Sequence, residues 1–279
     1  TVADMRPDVL ARLAGQLKVA TITADLSDPK IVRKVVADAD VVLGALSSVI
    51  GLQTLRAVIE AGKPYCDISF MSEDGTVLDG LAREHGVTAV IDCGVAPGLS
   101  HMMVGYAAHR LAPCERVEIY VGGLPVERRW PYEYKSGFAP HDVVEEYTRP
   151  SRVVEGGRVV IRPSLSEPEL MDFPGVGTLE SFITDGLRSL VKTIDAPELR
   201  EKTLRYPGHI ELMRVLRETG FFSKEPIRVA GVEVRPLDVT AALMFPKWAF
   251  ADGEADLTVM RVVVTGKEGS TRTRYVWDL

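Results

Sequence analysis

The chain concentrates its reactive side chains in one short run, Asp92-Cys93-Gly94-Val95-Ala96-Pro97-Gly98-Leu99-Ser100-His101. A β-type segment, Thr88 to Asp92, ends there in a glycine turn, and Pro97-Gly98 opens a long apolar helix. The first turn of such a helix offers unpaired backbone N–H groups, which suit a carboxylate or an amide. Asp92, Cys93 and His101 are the candidate catalytic residues, and Gly94 is a point of ligand contact in the turn. Each has an ordinary alternative. A free cysteine is most often buried and inert, and a histidine in a first helical turn is as often packed or capping.

Further candidates share one placement, directly after a short β-type run. They are Asp4; Asp25 with Leu26; Ala45, Leu46 and Ser47; and Asp67. Helical stretches separate these runs: Val9 to Leu17, Asp28 to Ala37, Ile50 to Ala61 and Val77 to His85, followed by Gly98 to Leu111. Single helices between strands predict parallel strands ending at Asp4, Ala24, Ala45, Ile68 and Asp92, in a doubly wound, Rossmann-type α/β sheet. Ligands of such sheets bind at the carboxyl ends of the strands. An acid ending the second strand of a dinucleotide fold accepts from the adenosine ribose diol. Asp4 therefore points to NAD, and Arg6 nearby keeps NADP as the alternative. On the same reading Asp25 and Leu26 lie near the adenine, Ala45 to Ser47 near the nicotinamide ribose, and Asp67 and Gly94 in the same crevice. Caps and turns account for Asp4, Asp25 and Ser47 as simply, and Asp67 could just hold its loop.

The phosphate-binding pattern GxGxxG occurs nowhere in the sequence. The expectation is a truncated dinucleotide-binding domain over 1–116, its first strand and phosphate loop lying upstream, followed by a mixed α/β domain over 117–279. In the second part Val117 to Gly122 is strand-like, 151–161 reads as a hairpin turning at Gly156-Gly157, Gly208 to Glu218 is a helix closed by Gly220, and Leu257 to Trp277 reads as a terminal hairpin.

Composition sets bounds. With 46% hydrophobic and 26% charged residues, 279 residues can bury a sizeable core in two domains. A net charge of −6 argues against nucleic acid, and no apolar run has the roughly 20 residues of a membrane span. Three scattered cysteines and five scattered histidines form no disulfide framework and no metal motif, which makes a reducing cytoplasm the expected compartment.

Several blocks carry a family resemblance across residues 1–279. VIDCGVAPGLSHMM (90–103), YVGGLP (120–125) and YEYKSGFAPHDVVEEYTRP (132–150) resemble saccharopine dehydrogenase-like enzymes. ESFITDGLRSLVKTI (180–194) and KTLRYPGHIELMRVLRETGFF (202–222) are more specific and most resemble the L-lysine 6-dehydrogenase branch. The resemblance implies a Rossmann domain and a substrate domain with the active site in the cleft between them, a homodimer, a small amino-acid substrate, and a helical segment after Leu279. It implies oxidation of a CH–NH2 group, with lysine losing hydride from its ε-carbon. A saccharopine-type reductase and a non-catalytic nucleotide-binding protein are the alternatives. Arg205 is then the candidate for the substrate α-carboxylate, with a structural salt bridge as its ordinary alternative, flanked by Tyr206 and His209, with Tyr134 and Lys135 reaching in from the YEYKSG loop. Trp130 and Phe138 would be apolar walls or merely core, and Asp185 a helix cap or, as the alternative, a partner for a substrate amine.

Overall fold

Short β-branched runs between amphipathic helices fold as the alternation predicts. The computed structural model describes residues 1–279 in two units, Thr1–Gly98 and Leu99–Leu279. The first unit runs β1 (Val2–Asp4), α1 (Pro7–Gln16), β2 (Thr21–Thr23), α2 (Pro29–Val35), β3 (Val42–Gly44), α3 (Ser48–Glu60), β4 (Tyr65–Asp67), a 3-10 turn, α4 (Asp79–Glu84) and β5 (Ala89–Val90). All its strand pairs are parallel: β1 with β2, and β4 between β3 and β5. The two sheets are separate, so β1 and β3 each have one edge without a strand partner. Local chemistry sets the boundaries. Asp28 accepts the Lys30 N–H at 2.8 Å ahead of Pro29, which caps α2. The core of this unit joins α2 and α3 through Val32, Val36, Leu55, Val58 and Ile59, with Tyr65, Met71 and Leu78.

The second unit comprises α5 (Leu99–Ala108), β6 (Cys114–Pro125), α6 (Pro140–Thr148), β7 (Ser151–Glu155), β8 (Arg158–Arg162), β9 (Glu169–Phe173), β10 (Gly177–Ile183), α7 (Leu190–Thr193), β11 (Glu198–Arg205), α8 (His209–Thr219), β12 (Ile227–Val229), β13 (Val232–Val234), α9 (Pro236–Trp248), β14 (Asp256–Glu268) and β15 (Thr271–Asp278). Its main sheet has the order β15-β14-β6-β11-β10-β9, and the β7–β8 hairpin attaches to β11. Only β6 and β11 pair in parallel, so the sheet is mixed. Gly220, at φ 92°, closes α8 in the left-handed conformation that a side chain disfavours. An aromatic core of Tyr134, Tyr147, Phe182, Phe222 and Trp248 lies among α6, α8 and α9.

The division falls at Gly98, earlier than the expected residue 116, because α5 packs on β6 and β14. No helix is long and apolar enough to cross a membrane.

Candidate active site

In the first unit the strand ends carry the expected residues, with differing availability. Asp4 accepts the Arg6 N–H at 2.8 Å and keeps its carboxylate 40% exposed, with the Arg6 guanidinium 3.7 Å away. It closes the turn into α1 and still presents lone pairs at the end of β1. Ser47 stands at the start of the 13-residue α3 without a side-chain cap bond, so its exposed hydroxyl is uncommitted. Ala45 is exposed too, and the Leu46 N–H goes to Ser69 Oγ at 2.9 Å. These groups fit the ribose ends of a dinucleotide.

Three residues of this unit also carry structural roles. Asp25 is exposed and bonds the Ser27 N–H at 2.9 Å, which makes it a turn residue. Leu26 packs partly into the core below instead of facing a ligand. Asp67 is fully buried. One oxygen holds the Ser69 N–H at 2.9 Å, the other has no hydrogen-bond partner, and burial pushes the carboxyl above its ordinary range against the pull of Ser69. Gly44 lies directly over it, where a Cβ would overlap the Tyr65 hydroxyl and the Asp67 carboxylate. Asp67 therefore supports the loop.

The Asp92–His101 run forms a tight turn. Asp92 adopts φ 57°, a conformation that Asp tolerates better than most residues. Gly94 and Gly98 bridge each other, and Gly98, at φ 139°, has no room for a Cβ against the Gly94 backbone. The Cys93 N–H bonds the Asp67 carbonyl at 3.0 Å, and its Sγ lies 3.6 and 3.8 Å from the Val90 and Ile91 carbonyls. Burial pushes the thiol pKa above its ordinary value, and the thiol can donate to these carbonyls.

In the second unit His101 sits in the first turn of α5. Its Nε2 lies 3.1 Å from the Leu187 carbonyl and its Nδ1 3.2 Å from Ser100 Oγ. A carbonyl only accepts, so Nε2 carries a proton, and Ser100 Oγ is the partner of Nδ1. Leu187 belongs to the loop between β10 and α7, Thr184-Asp185-Gly186-Leu187-Arg188-Ser189. Asp185 is buried there and takes the Arg152 guanidinium on both oxygens, at 2.9 and 2.7 Å, together with the Arg152 N–H at 3.0 Å. Arg188 is 3.6 Å from the same carboxylate, buried, and at φ 48°. A strained, buried arginine of this kind marks an over-determined loop. Glu201 on β11 lies beneath it, with Oε2 accepting from Thr184 Oγ1 at 2.6 Å and from the Gly186 N–H at 3.0 Å. Asp185 is thus an ion-pair hub instead of a cap.

The KTLRYPGH block supplies support, not recognition. Arg205 ends β11 with its side chain only 3% exposed. Its guanidinium bonds Glu146 at 2.6 Å, the Tyr147 hydroxyl at 3.2 Å and the Leu204 carbonyl at 2.9 Å, and lies over the Tyr134 ring at 4.4 Å. The fork expected to hold a substrate carboxylate holds Glu146. His209 donates from Nδ1 to the Tyr132 carbonyl at 2.9 Å and accepts from the Tyr147 hydroxyl at Nε2, also at 2.9 Å. Burial and the neighbouring Arg205 lower its pKa to about 3, so it is neutral. Tyr206 is buried and donates to the Pro125 carbonyl at 2.9 Å, and Tyr134 is 3% exposed in the aromatic core. Arg205, Tyr206 and His209 are committed to partners within the chain, whereas Tyr134 also lines the cavity beside Lys135. Lys135 forms an ion pair with Glu254, itself bonded to the Ala251 N–H at 2.9 Å. Lys135 lines a cavity of about 310 Å³ with Trp130, Tyr132, Arg129 and Lys247. Trp130 is 84% exposed and Phe138 48%, so both are surface aromatics rather than core.

Sequence reasoning passed over Arg152, Arg188 and Glu201. The TDGLRS block was itself a signal, since a glycine between charged residues marks a loop that must approach another group closely.

Comparison with known proteins covers both units. Residues 1–90 match the saccharopine dehydrogenase NADP binding domain, and 94–279 the saccharopine dehydrogenase C-terminal domain. An alpha-aminoadipic semialdehyde synthase of Arabidopsis thaliana is 25% identical over 80% of this chain, which spans 22% of that protein. A carboxyaminopropylagmatine dehydrogenase of Synechocystis sp. is 22% identical over 97% of this chain and 71% of its own length. The apo structure of the L-Glu-forming saccharopine dehydrogenase from Saccharomyces cerevisiae superposes with a TM-score of 0.70 at 17% identity, covering 99% of this chain and 79% of that one.

Proposed function

We propose, from the premise that this chain belongs to the saccharopine dehydrogenase family, that it is an NAD(P)-dependent oxidoreductase that oxidises the ε-amine of lysine. NAD(P) is the cofactor class, and when bound it accepts a hydride from the substrate carbon. Asp4 and the exposed Ala45–Ser47 segment suit the two ribose ends, and Arg6 beside Asp4 suits a 2′-phosphate. The pyrophosphate turn of a dinucleotide fold belongs on a strand between theirs, where β1 and β3 have their open edges.

The observation that carries the reading is the constellation around loop 184–189 in the second unit, where His101, Arg152, Asp185, Arg188 and Glu201 converge. An alkylammonium with an ordinary pKa near ~10.4 must lose a proton before hydride can leave its carbon. Asp92, at the end of the fifth strand, is the carboxylate assigned to that proton. His101 is held at Nε2 by the Leu187 carbonyl and at Nδ1 by Ser100.

A second reading is reductive joining of an amino acid to an oxo acid, favoured by the L-Glu-forming structural relative. Absorbance at 340 nm separates the two. Lysine alone with NAD(P) yields NAD(P)H on the first reading. The second predicts no such signal, and NAD(P)H consumption only when an amino acid and an oxo acid are both present. The homodimer and the cytoplasmic location belong to the same proposal, and a single-chain mass by sedimentation removes the dimer from it.

A further inference from the structure

The buried acids of the second unit differ in one respect. Glu146 pairs with Arg205, and Asp185 with Arg152 and Arg188. Glu201, 2% exposed, forms no ion pair at all. The neighbouring Lys202 turns to the opposite side, toward Glu169 at 3.2 Å and the Glu167 carbonyl at 2.9 Å. What Glu201 does hold is backbone and hydroxyl. Its Oε2 takes Thr184 Oγ1 and the Gly186 N–H, and Thr184 Oγ1 also lies 2.8 Å from Thr203 Oγ1. Gly186 is required by this contact, because a Cβ there would overlap the Glu201 carboxyl. One residue further on, the Leu187 carbonyl accepts the His101 Nε2–H.

We propose that Glu201 is a positioning residue that, as an uncharged acid, clamps loop 184–189 through Thr184 and Gly186 and so fixes the orientation and tautomer of His101. The groups facing it explain the uncharged state. Burial costs the carboxylate most, Glu146 from α6 and Asp185 from the loop add negative charge, and the hydrogen bonds from Thr184 and Gly186 offset only part. The outcome is a pKa raised from 4.5 to about 8. The arginines nearby are already committed to Glu146 and Asp185. A neutral clamp joins the loop to the sheet without demanding a counter-ion, which leaves the charge of Asp185 and Arg188 undisturbed.

The sign of the pH dependence follows. A carboxyl whose folded pKa exceeds its unfolded value contributes stability that is full below 4.5 and lost as pH rises through about 8. Glu201→Gln keeps the clamp geometry and cannot ionise. The test compares melting temperatures of the full chain and Glu201→Gln from pH 4 to 9, together with the ¹⁵N chemical shifts of the His101 ring. The expected result is a Tm difference in favour of Gln that grows between pH 4.5 and 8 and is level above, with His101 remaining the Nε2–H tautomer. Thr184→Val, which removes one clamp bond at constant shape, should mix the His101 tautomers. A Tm difference independent of pH overturns the uncharged state. An unchanged His101 signature in Thr184→Val overturns the positioning role. The importance of His101 rests on the proposed function, but neither readout uses turnover, so the two can fail separately.

Discussion

Replacing Arg205 by Ala should unfold the second unit before it impairs recognition. The substitution strands Glu146 in the interior with its cation gone, since the pair is 3% and 13% exposed and 2.6 Å apart. It also removes a donor to Tyr147 and the stacking on Tyr134. Breaking one partner of a buried ion pair costs about 3–5 kcal/mol. For a domain of this size that corresponds to a fall of roughly 6–20 °C in Tm, at ~2–4 °C per kcal/mol. The assay is thermal or urea denaturation of Arg205→Ala beside Arg205→Met with Glu146→Leu, which removes both charges at similar volume. The double variant should recover most of the loss, because two apolar groups leave no stranded charge. If the chain oxidises lysine, Arg205→Ala should penalise lysine and a carboxylate-free alkylamine equally. Wild-type stability combined with a selective loss for lysine would refute this account and return Arg205 to the substrate.

His209 gives a pH dependence of opposite sign to that of Glu201. Its folded pKa of about 3 lies below the ordinary 6.5, so its contribution to stability is present above pH 6.5 and lost as pH falls toward 3. The wild type should therefore lose stability more steeply than His209→Gln between those values in denaturant titrations; parallel slopes would show that the ring is not held neutral. Gly44→Ala should destabilise the first unit by about 1–3 kcal/mol through overlap with Tyr65, and adding Tyr65→Phe should recover part of it. Asp92→Asn should lower kcat for lysine by about 10²-fold or more while leaving cofactor affinity unchanged by fluorescence titration, and an unaltered kcat would remove Asp92 as the base.

The two halves of the chain were unequally legible, and the reason is physical. The strands of the first unit are short runs that alternate with single helices, so local signals and tertiary fold agree. The hairpins β7–β8 and β14–β15 announced themselves through alternation and glycine turns. β11 did not. Its sequence, Glu-Leu-Arg-Glu-Lys-Thr-Leu-Arg, looks like a solvated loop, yet six of its eight residues are buried because it lies between β6 and β10. Polar residues on both faces of an interior strand erase the period-two pattern, and the cations and acids that make their burial tolerable come from α6, β7 and the loop after β10. For Arg205 the sequence left a substrate fork and a structural salt bridge both open, because its partner Glu146 lies 59 residues away. Glu201 was invisible for the same reason. The distinctive blocks TDGLRS and KTLRYPGH are therefore one structure, in which the second holds the first in place. A substitution in β11 should reach the reaction only through the loop above it, and Thr184→Val should reproduce its effect on His101 without touching the strand.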